Sequence, residues 1–235
     1  MLRVIAPEEL QEILNANLCN ADLSNADLRN ADLRNADLRS ANLRSANLQS
    51  ANLRSANLQS ANLRSANLRS ANLGFANLSE ADMSHANLSE ANLGFANLTS
   101  ANLGEANLTS ADMSEANLTS ADMSEADLSN ANLILANLSN ANLSRANLTS
   151  ANLSEANLIL AGQDARGYIF YAFYNKEDGI TICAGCHRFK SISAAVEHWE
   201  NRHQNNKVLQ ADCLSLVDRI RTMAIVRGWK LEKTV

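Results

Sequence analysis

The 235-residue chain is dominated by Ala, Asn, Leu and Ser, with 46% hydrophobic residues, 8 Gly and 1 Pro. This composition allows a buried core and excludes a collagen-like or Pro-rich chain. The net charge of −5 is too small to indicate DNA or a membrane as the partner. The sequence has no apolar stretch long enough to span a bilayer, and its four sparse Cys residues are typical of reduced thiols, so we expect a soluble cytoplasmic protein.

The first predicted element is a short helix in residues 1–15. Pro7 would stand in its first turn, where a missing amide donor is tolerated. Its apolar positions recur at helical spacing and would form one buried stripe, made of Leu10, Ile13 and Leu14. We expect this helix to cap the structure that follows it.

From Ala16 to Leu160 the sequence consists of 29 uninterrupted pentads of the form A-(N/D)-(L/M)-x-x. A period of five fits neither a helix nor a continuous strand. Within a pentad, Ala and Leu are two residues apart, so a short extended stretch points both side chains to one side. If the other residues turn the chain each time, residues 16–161 form an all-β solenoid with Ala and Leu inside.

The run ANLRSANLQSANLRS resembles the pentapeptide-repeat family. The resemblance implies a right-handed quadrilateral β-helix with four pentads per coil, or about seven coils for this repeat. Family members that protect DNA gyrase often carry loops that protrude from the coils, whereas no insertion interrupts the pentads of this chain. A solenoid of similar coils offers no cleft for catalysis, so we expect neither enzymatic activity nor a cofactor.

The fourth and fifth residues of each pentad are predicted to face outward and to carry any recognition. Residues 16–78 contain 7 Arg and 4 Asp, and residues 79–161 contain 1 Arg and 10 acidic residues. The basic residues would wrap all four faces as a collar, which is a candidate interaction surface: Arg29, Arg34, Arg39, Arg44, Arg54, Arg64 and Arg69. A solvated surface without a partner would show the same pattern.

Phe75 and Phe95 are twenty residues apart, which is one coil of four pentads. We expect them to stack on the outside as a contact patch, although a ladder that only stabilises the coil would look the same. Another column is predicted to be charge-balanced rather than catalytic, and it consists of His85, Glu105, Glu125 and Arg145.

The composition changes abruptly at Gly162, and residues 162–235 are predicted to form a small α+β module. Two strand-like runs flank a turn at residues 177–179. A helix with Ser193 as its N-cap and a second helix that ends at Gly228 follow. This order, together with AGCHRF, EHW and a terminal GW, resembles a module that trails pentapeptide repeats in phage and prophage proteins, so a phage-encoded chain would reside in the virion.

A β-helix ends in exposed strand edges, which associate unless they are covered. We therefore expect the C-terminal module to cap the last coil and to be the main partner-facing or self-associating surface, which allows a homo-oligomer. The predicted docking residues are apolar or aromatic, namely Ile134, Leu135, Ile159, Leu160, Trp199 and Trp229.

Cys183, Cys186 and His187 match the C-x-x-C-H pattern of haem attachment, and with His203 they are candidates for a zinc site. Two thiols on one strand would point to opposite faces unless a turn intervenes. Buried or semi-exposed free thiols are therefore the favoured interpretation.

The sequence thus leaves three functions open. The first is a non-enzymatic interaction or structural protein with a protein partner and without direct DNA or membrane binding. The second is a DNA-mimicking inhibitor or protector of DNA gyrase or another topoisomerase, which fits poorly with the basic collar and the absent loops. The third is a zinc-binding or nucleic-acid-binding C-terminal module.

Overall fold

The computed structural model describes residues 17–175, 179–184 and 187–231. They fall into two compact units, which divide between residues 156 and 157. The division lies one pentad before the boundary that composition predicts. The predicted N-terminal helix lies outside the described residues.

Each coil of the first unit contains four pentads. Residues at the second position form parallel β-bridges with residues twenty further along, from Asp22–Asn42 to Asn132–Asn152. Third-position amides donate to the next coil, as from Leu63 to the carbonyl of Asp82 at 2.7 Å. Successive coils therefore satisfy one another's backbone groups, so the repeat is stable only as a stack.

The two variable residues of each pentad make the turn. The amide of the next Ala donates to the Leu carbonyl three residues earlier, as from Ala96 to Leu93 at 3.0 Å. The fifth residue has a φ between 54° and 61° in all 28 pentads from Asn20 to Glu155. Asn tolerates this left-handed conformation well, whereas β-branched residues do not. Accordingly, Thr and Ile occur at fourth positions of the repeat and never at a fifth.

The first and third positions fill the interior of the β-helix. From Leu38 to Leu143, every Ala, Leu and Met at these positions is at most 1% exposed. Small Ala beside large Leu fits a narrow interior, and this is the inward arrangement that the repeat predicts.

Second-position Asn side chains connect the turns to the coils. Oδ1 of Asn77 accepts the amide of Ser79 at 3.2 Å, and Nδ2 of Asn77 donates to Oδ1 of Asn57 in the preceding coil at 3.2 Å. Asn97 donates to Asn77 in the same way at 3.2 Å. This side-chain ladder runs beside the backbone ladder and explains why the second position is always Asn or Asp.

The second unit contains a four-stranded antiparallel sheet and two helices. The strands pair in chain order and are β1 (Leu158–Gln163), β2 (Ile169–Asn175), β3 (Gly179–Ala184) and β4 (His187–Phe189). The helices are α1 (Ile192–Arg202) and α2 (Lys207–Val226). The prediction of two strands was wrong, because the last pentad enters β1 instead of turning and because residues 187–189 pair with β3.

Polar side chains cap both helices. Oγ of Ser191 accepts the amide of Ala194 at 3.1 Å, so Ser191 and not the predicted Ser193 is the N-cap of α1. Oδ1 of Asn206 accepts the amide of Leu209 at 3.1 Å at the start of α2. Gly228 follows α2 with a φ of 68°.

The two helices cover one face of the sheet. Ile159, Phe170 and Ile182 are 0% exposed in this core, and α1 and α2 contribute Trp199 and Val217. Within the described ranges, neither helix is long and apolar enough to cross a membrane.

Candidate interaction face

One face of the β-helix combines aromatic, aliphatic and charged side chains. Residues twenty positions apart lie on the same face, one coil after another. We call this surface the phenylalanine face and define it by Arg54, Phe75, Phe95, Glu115 and Leu135. Arg54 stands at a fourth position, and the other four stand at the fifth positions of four successive coils.

Phe75 and Phe95 form a stacked pair on this face. Their ring centroids are 4.8 Å apart and their planes differ by 2°. The two residues are still 50% and 48% exposed. The stacking predicted from the spacing is therefore present, and it leaves apolar surface that a partner could bury.

Leu135 belongs to the same face, two coils beyond Phe95, and is 49% exposed. In the described part of the β-helix, three large apolar residues are exposed, and all three lie on the phenylalanine face. The sequence groups Leu135 with Ile134, which is half-buried, as docking residues, and that role stays a prediction. The spacing of forty residues from Phe95 to Leu135, a multiple of twenty, is the overlooked sequence signal that joins Leu135 to the phenylalanine pair.

The phenylalanine face also carries two charges without an ion pair among the described residues, Arg54 and Glu115. The guanidinium carbon of Arg54 lies 5.0 Å from the centroid of the Phe75 ring, within cation–π range. Glu115 stands one coil beyond Phe95. A positive charge therefore flanks the aromatic pair on one side and a negative charge flanks it on the other.

The rest of the predicted basic collar is partly neutralised. Three members pair with the Asp of their own pentad at 2.5 or 2.6 Å, namely Arg29–Asp27, Arg34–Asp32 and Arg39–Asp37. Hydrogen bonds from these guanidinium groups hold the pKa of all three carboxyl groups below the usual value. Arg44 and Arg64 have no ion pair in the described chain, and they lie on the face opposite the phenylalanine face.

Most acidic side chains of the later coils are also engaged. Second-position Asp residues accept turn amides, as Asp122 does from Ser124 at 3.0 Å. Three glutamates lie 3.0 or 3.4 Å from a cationic or titratable partner, in the pairs Arg69–Glu90, His85–Glu105 and Arg145–Glu125. The last two pairs form the charge-balanced column that the spacing predicts.

The structure separates the candidate metal ligands of the second unit. Cys183 is 1% exposed and lies on the opposite side of β3 from Ala184, which packs under the helices. The ring of His187 lies on the helix side, 4.7 Å from that of His198. Burial raises the pKa of Cys183 and lowers the pKa of His187. Among the described residues, no group of three His, Cys, Asp or Glu is placed to hold a metal ion, and Cys186 lies outside them.

The aromatic residues predicted for docking are used within the second unit itself. Trp199 is 2% exposed, and its ring stacks on His203 with centroids 5.5 Å apart. Trp229 stacks on Tyr174 at 5.6 Å and packs against the same core. Ile159, at 0% exposure, is a core residue of this unit as well.

An ion pair with a buried carboxylate fixes the connection between β1 and β2. Asp164 pairs with Arg166 at 2.5 Å and accepts the amide of Tyr168 at 3.1 Å. Burial by itself raises the pKa of Asp164, but these hydrogen bonds outweigh burial, so that the pKa lies below its usual value. Burial, with the nearby Asp164 carboxylate, raises the pKa of Cys213 to about 11. The Cys213 thiol is therefore protonated at neutral pH.

The repeat geometry is that of a known family. A profile of pentapeptide repeats finds 8 copies, in residues 15–49, 46–85, 86–124 and 121–158. The chain belongs to the pentapeptide-repeat family. The right-handed quadrilateral β-helix of this family is thus the fold of the first unit, as predicted. The matches end at residue 158, and the resemblance of residues 162–235 to phage modules stays a prediction.

Solved structures of other pentapeptide-repeat proteins are similar to this chain. HetL, which is involved in heterocyst differentiation regulation in Nostoc sp. strain PCC 7120, is 33% identical over 58% of this chain and 76% of its own, with a TM-score of 0.26. Rfr23 from Cyanothece 51142 is 33% identical over 43% and 62%, with a TM-score of 0.31. QnrB1, a plasmid-mediated fluoroquinolone resistance protein, is 21% identical over 62% and 79%, with a TM-score of 0.36. A search of curated proteins gives no match.

Proposed function

We propose that this pentapeptide-repeat protein is a non-enzymatic interaction protein that binds a protein partner through the phenylalanine face. The observation that carries the proposal is the Phe75–Phe95 pair, stacked at 4.8 Å and about half exposed. Ser is the commonest residue at fifth positions of the repeat, so the turn itself does not require an aromatic ring there. Two phenyl rings left partly in water are better explained by a partner that buries them.

The charges of the phenylalanine face support the same proposal. Elsewhere on the β-helix, many charged side chains are paired within the chain, as in Arg69–Glu90 at 3.0 Å. Arg54 and Glu115 have no such pair among the described residues. Unpaired charges beside an exposed apolar patch give an interface its register and its specificity.

DNA mimicry, the second function that the sequence leaves open, has less support. It requires acidic side chains that follow one another along a face. The column of the phenylalanine face continues to Glu155, one coil beyond Leu135, but Leu135 separates Glu115 from Glu155 and Phe95 precedes them. Three glutamates elsewhere on the β-helix pair with Arg or His, in Arg69–Glu90, His85–Glu105 and Arg145–Glu125.

The proposal is tested by partner capture with matched variants. The immobilised full-length chain should retain a partner from an extract of its source, and F75S/F95S should lose it. R44S/R64S removes two unpaired charges from the opposite face and should retain the partner as well as the unaltered chain does. Equal retention by all three proteins would contradict the proposal, as would loss in R44S/R64S alone.

A further inference from the structure

We propose that the partner of the phenylalanine face is a second copy of this chain, packed against it in antiparallel orientation. This inference rests on the proposed function, because it names the occupant of the same face. Two copies can meet about a two-fold axis that lies in the interface and passes between the coils of Phe75 and Phe95. Phe75 of each copy then lies opposite Phe95 of the other, and four phenyl rings share one apolar contact.

The charges of the face are complementary to themselves under this symmetry. The axis places each coil of one copy opposite a coil of the other copy. The two coils lie at the same distance from the aromatic pair but on opposite sides of it. Arg54 stands one coil before Phe75, and Glu115 stands one coil after Phe95. Arg54 of each copy therefore faces the coil of Glu115 in the other copy, which gives two symmetric ion pairs that flank the rings.

The same charges disfavour parallel packing. With the copies side by side in one direction, Arg54 would face Arg54 and Glu115 would face Glu115, and like charges across an interface repel. The overall charge distribution has the same consequence. Residues 16–78 contain 7 Arg and 4 Asp, whereas residues 79–161 contain 1 Arg and 10 acidic residues, so antiparallel copies bring basic coils against acidic ones.

The interface is expected to be small. One side of the β-helix is narrow, and its exposed large apolar residues are Phe75, Phe95 and Leu135. The total buried area then falls in the weak class, below about 1,200 Å². We expect a dissociation constant between about 1 µM and 1 mM that decreases at low ionic strength.

Charge reversal tests the register directly. Sedimentation velocity of the reduced full-length chain, from about 1 µM to about 1 mM, should show a monomer–dimer equilibrium. Arg54→Glu and Glu115→Arg each place like charges across both ion pairs and should weaken association at least about tenfold. An equimolar mixture of the two variants should associate again, because each copy supplies the charge that the other lacks.

A matched control keeps this test specific. Arg64→Glu makes the same charge change at a fourth position on the opposite face and should leave association unchanged. Glu115→Arg suits the turn, because Arg145 already occupies a fifth position with a φ of 60°. Circular dichroism spectra that match the unaltered chain would show that each variant is folded.

The two proposals fail separately. A chain that stays monomeric over the whole range, or a dimer that both reversals leave intact, would overturn the second-copy inference. If F75S/F95S then still abolished capture of another protein from the extract, the phenylalanine face would remain a binding face. Failure of that capture test as well would overturn the proposed function.

Discussion

The rings of Phe75 and Phe95 are 4.8 Å apart, which is the spacing of adjacent β-strands. The two residues hold the same turn position in successive coils, with φ values of 61° and 60°. A centroid distance of 4.8 Å with planes that differ by 2° lies within the range of stacked aromatic pairs, so the spacing of the coils and the preference of the rings agree. The coil itself therefore presents a flat, rigid pair of rings without any rearrangement.

We expect Ala96→Leu to destabilise the β-helix by about 1–3 kcal/mol, because three added carbons must fit a closely packed interior. Ala96 is a first-position residue with 1% exposure. Denaturant unfolding measures the effect, and Ser100→Leu at the outward fifth position of the same pentad is the control, since Leu135 already adopts that turn. An unchanged free energy of unfolding for Ala96→Leu would contradict the inward placement of Ala.

A β-branched residue at a fifth position should be destabilising. Ser110 has a φ of 57°, and Ser110→Val should lower the free energy of unfolding by about 1–2 kcal/mol, the order of the left-handed penalty. Ser114→Val is the matched control at a fourth position, where Ile134 stands in the next coil of the same face. Equal effects of the two variants in denaturant unfolding would show that the turn conformation does not restrict the fifth position.

The second unit should lose stability in mild acid. Burial lowers the pKa of His187, His198 and His203 below the ordinary value of 6.5. As the pH falls, these residues therefore bind protons at a higher pH in the unfolded chain than in the folded chain. Their contribution to stability is complete above pH 6.5 and is lost as the pH falls through their pKa values in the folded chain. Both Trp residues lie in this unit, and tryptophan fluorescence in moderate denaturant, titrated from about pH 8 to about pH 4, follows it selectively.

The β-helix should respond only at lower pH. The pKa values of Asp27, Asp32 and Asp37 lie below 3.8, so their contribution persists until the pH falls through those lower values. His198→Asn should weaken the acid transition of the fluorescence signal. Far-ultraviolet circular dichroism reports both units, so it should also show a second transition at lower pH, and His198→Asn should leave that second transition unchanged. A single transition shared by both signals would contradict this account.

We expect the purified chain neither to inhibit supercoiling by DNA gyrase nor to protect the enzyme from fluoroquinolones. The acidic residues are largely paired or hydrogen-bonded within the β-helix, as in Arg145–Glu125 at 3.0 Å. A supercoiling assay at rising protein concentration makes the measurement. Inhibition that disappeared in E115Q/E155Q would instead establish DNA mimicry by the phenylalanine face.

The fold of the repeat was predictable because the same backbone conformation recurs in the pentads. The C-terminal module was less predictable, because there the same pentad sequence adopts a different structure. The pentad ANLIL occurs at residues 131–135 and again at 156–160. In the first copy, Leu135 turns the chain with a φ of 58°. In the second copy, Ile159 lies in β1, paired with Ala172 and fully buried. Tertiary pairing with β2 decides between the two structures, and the local sequence does not contain that information.

The site was predictable in its positions and not in its electrostatics. The spacing of twenty residues was sufficient to stack Phe75 on Phe95. The net charge of a segment, however, does not show which charges are paired. Arg29 adds to the basic charge of residues 16–78 but forms an ion pair with Asp27, two residues earlier. Which charges stay unpaired depends on side-chain conformation, so only the structure shows that Arg54 and Glu115 have no ion pair among the described residues.

The central claim is that the phenylalanine face meets its own copy in antiparallel register, and cross-linking tests it most directly. In that register Ser55, one coil before Phe75, faces Glu115 of the other copy. A bismaleimide that spans about 10 Å, the distance between sheets packed face to face, should join Ser55→Cys chains to Glu115→Cys chains in a mixture. Peptide mass spectrometry should find the 55–115 link in the mixture and no 55–55 link in Ser55→Cys alone. A 55–55 link, or no 55–115 link at dimer-forming concentrations, would contradict the claim.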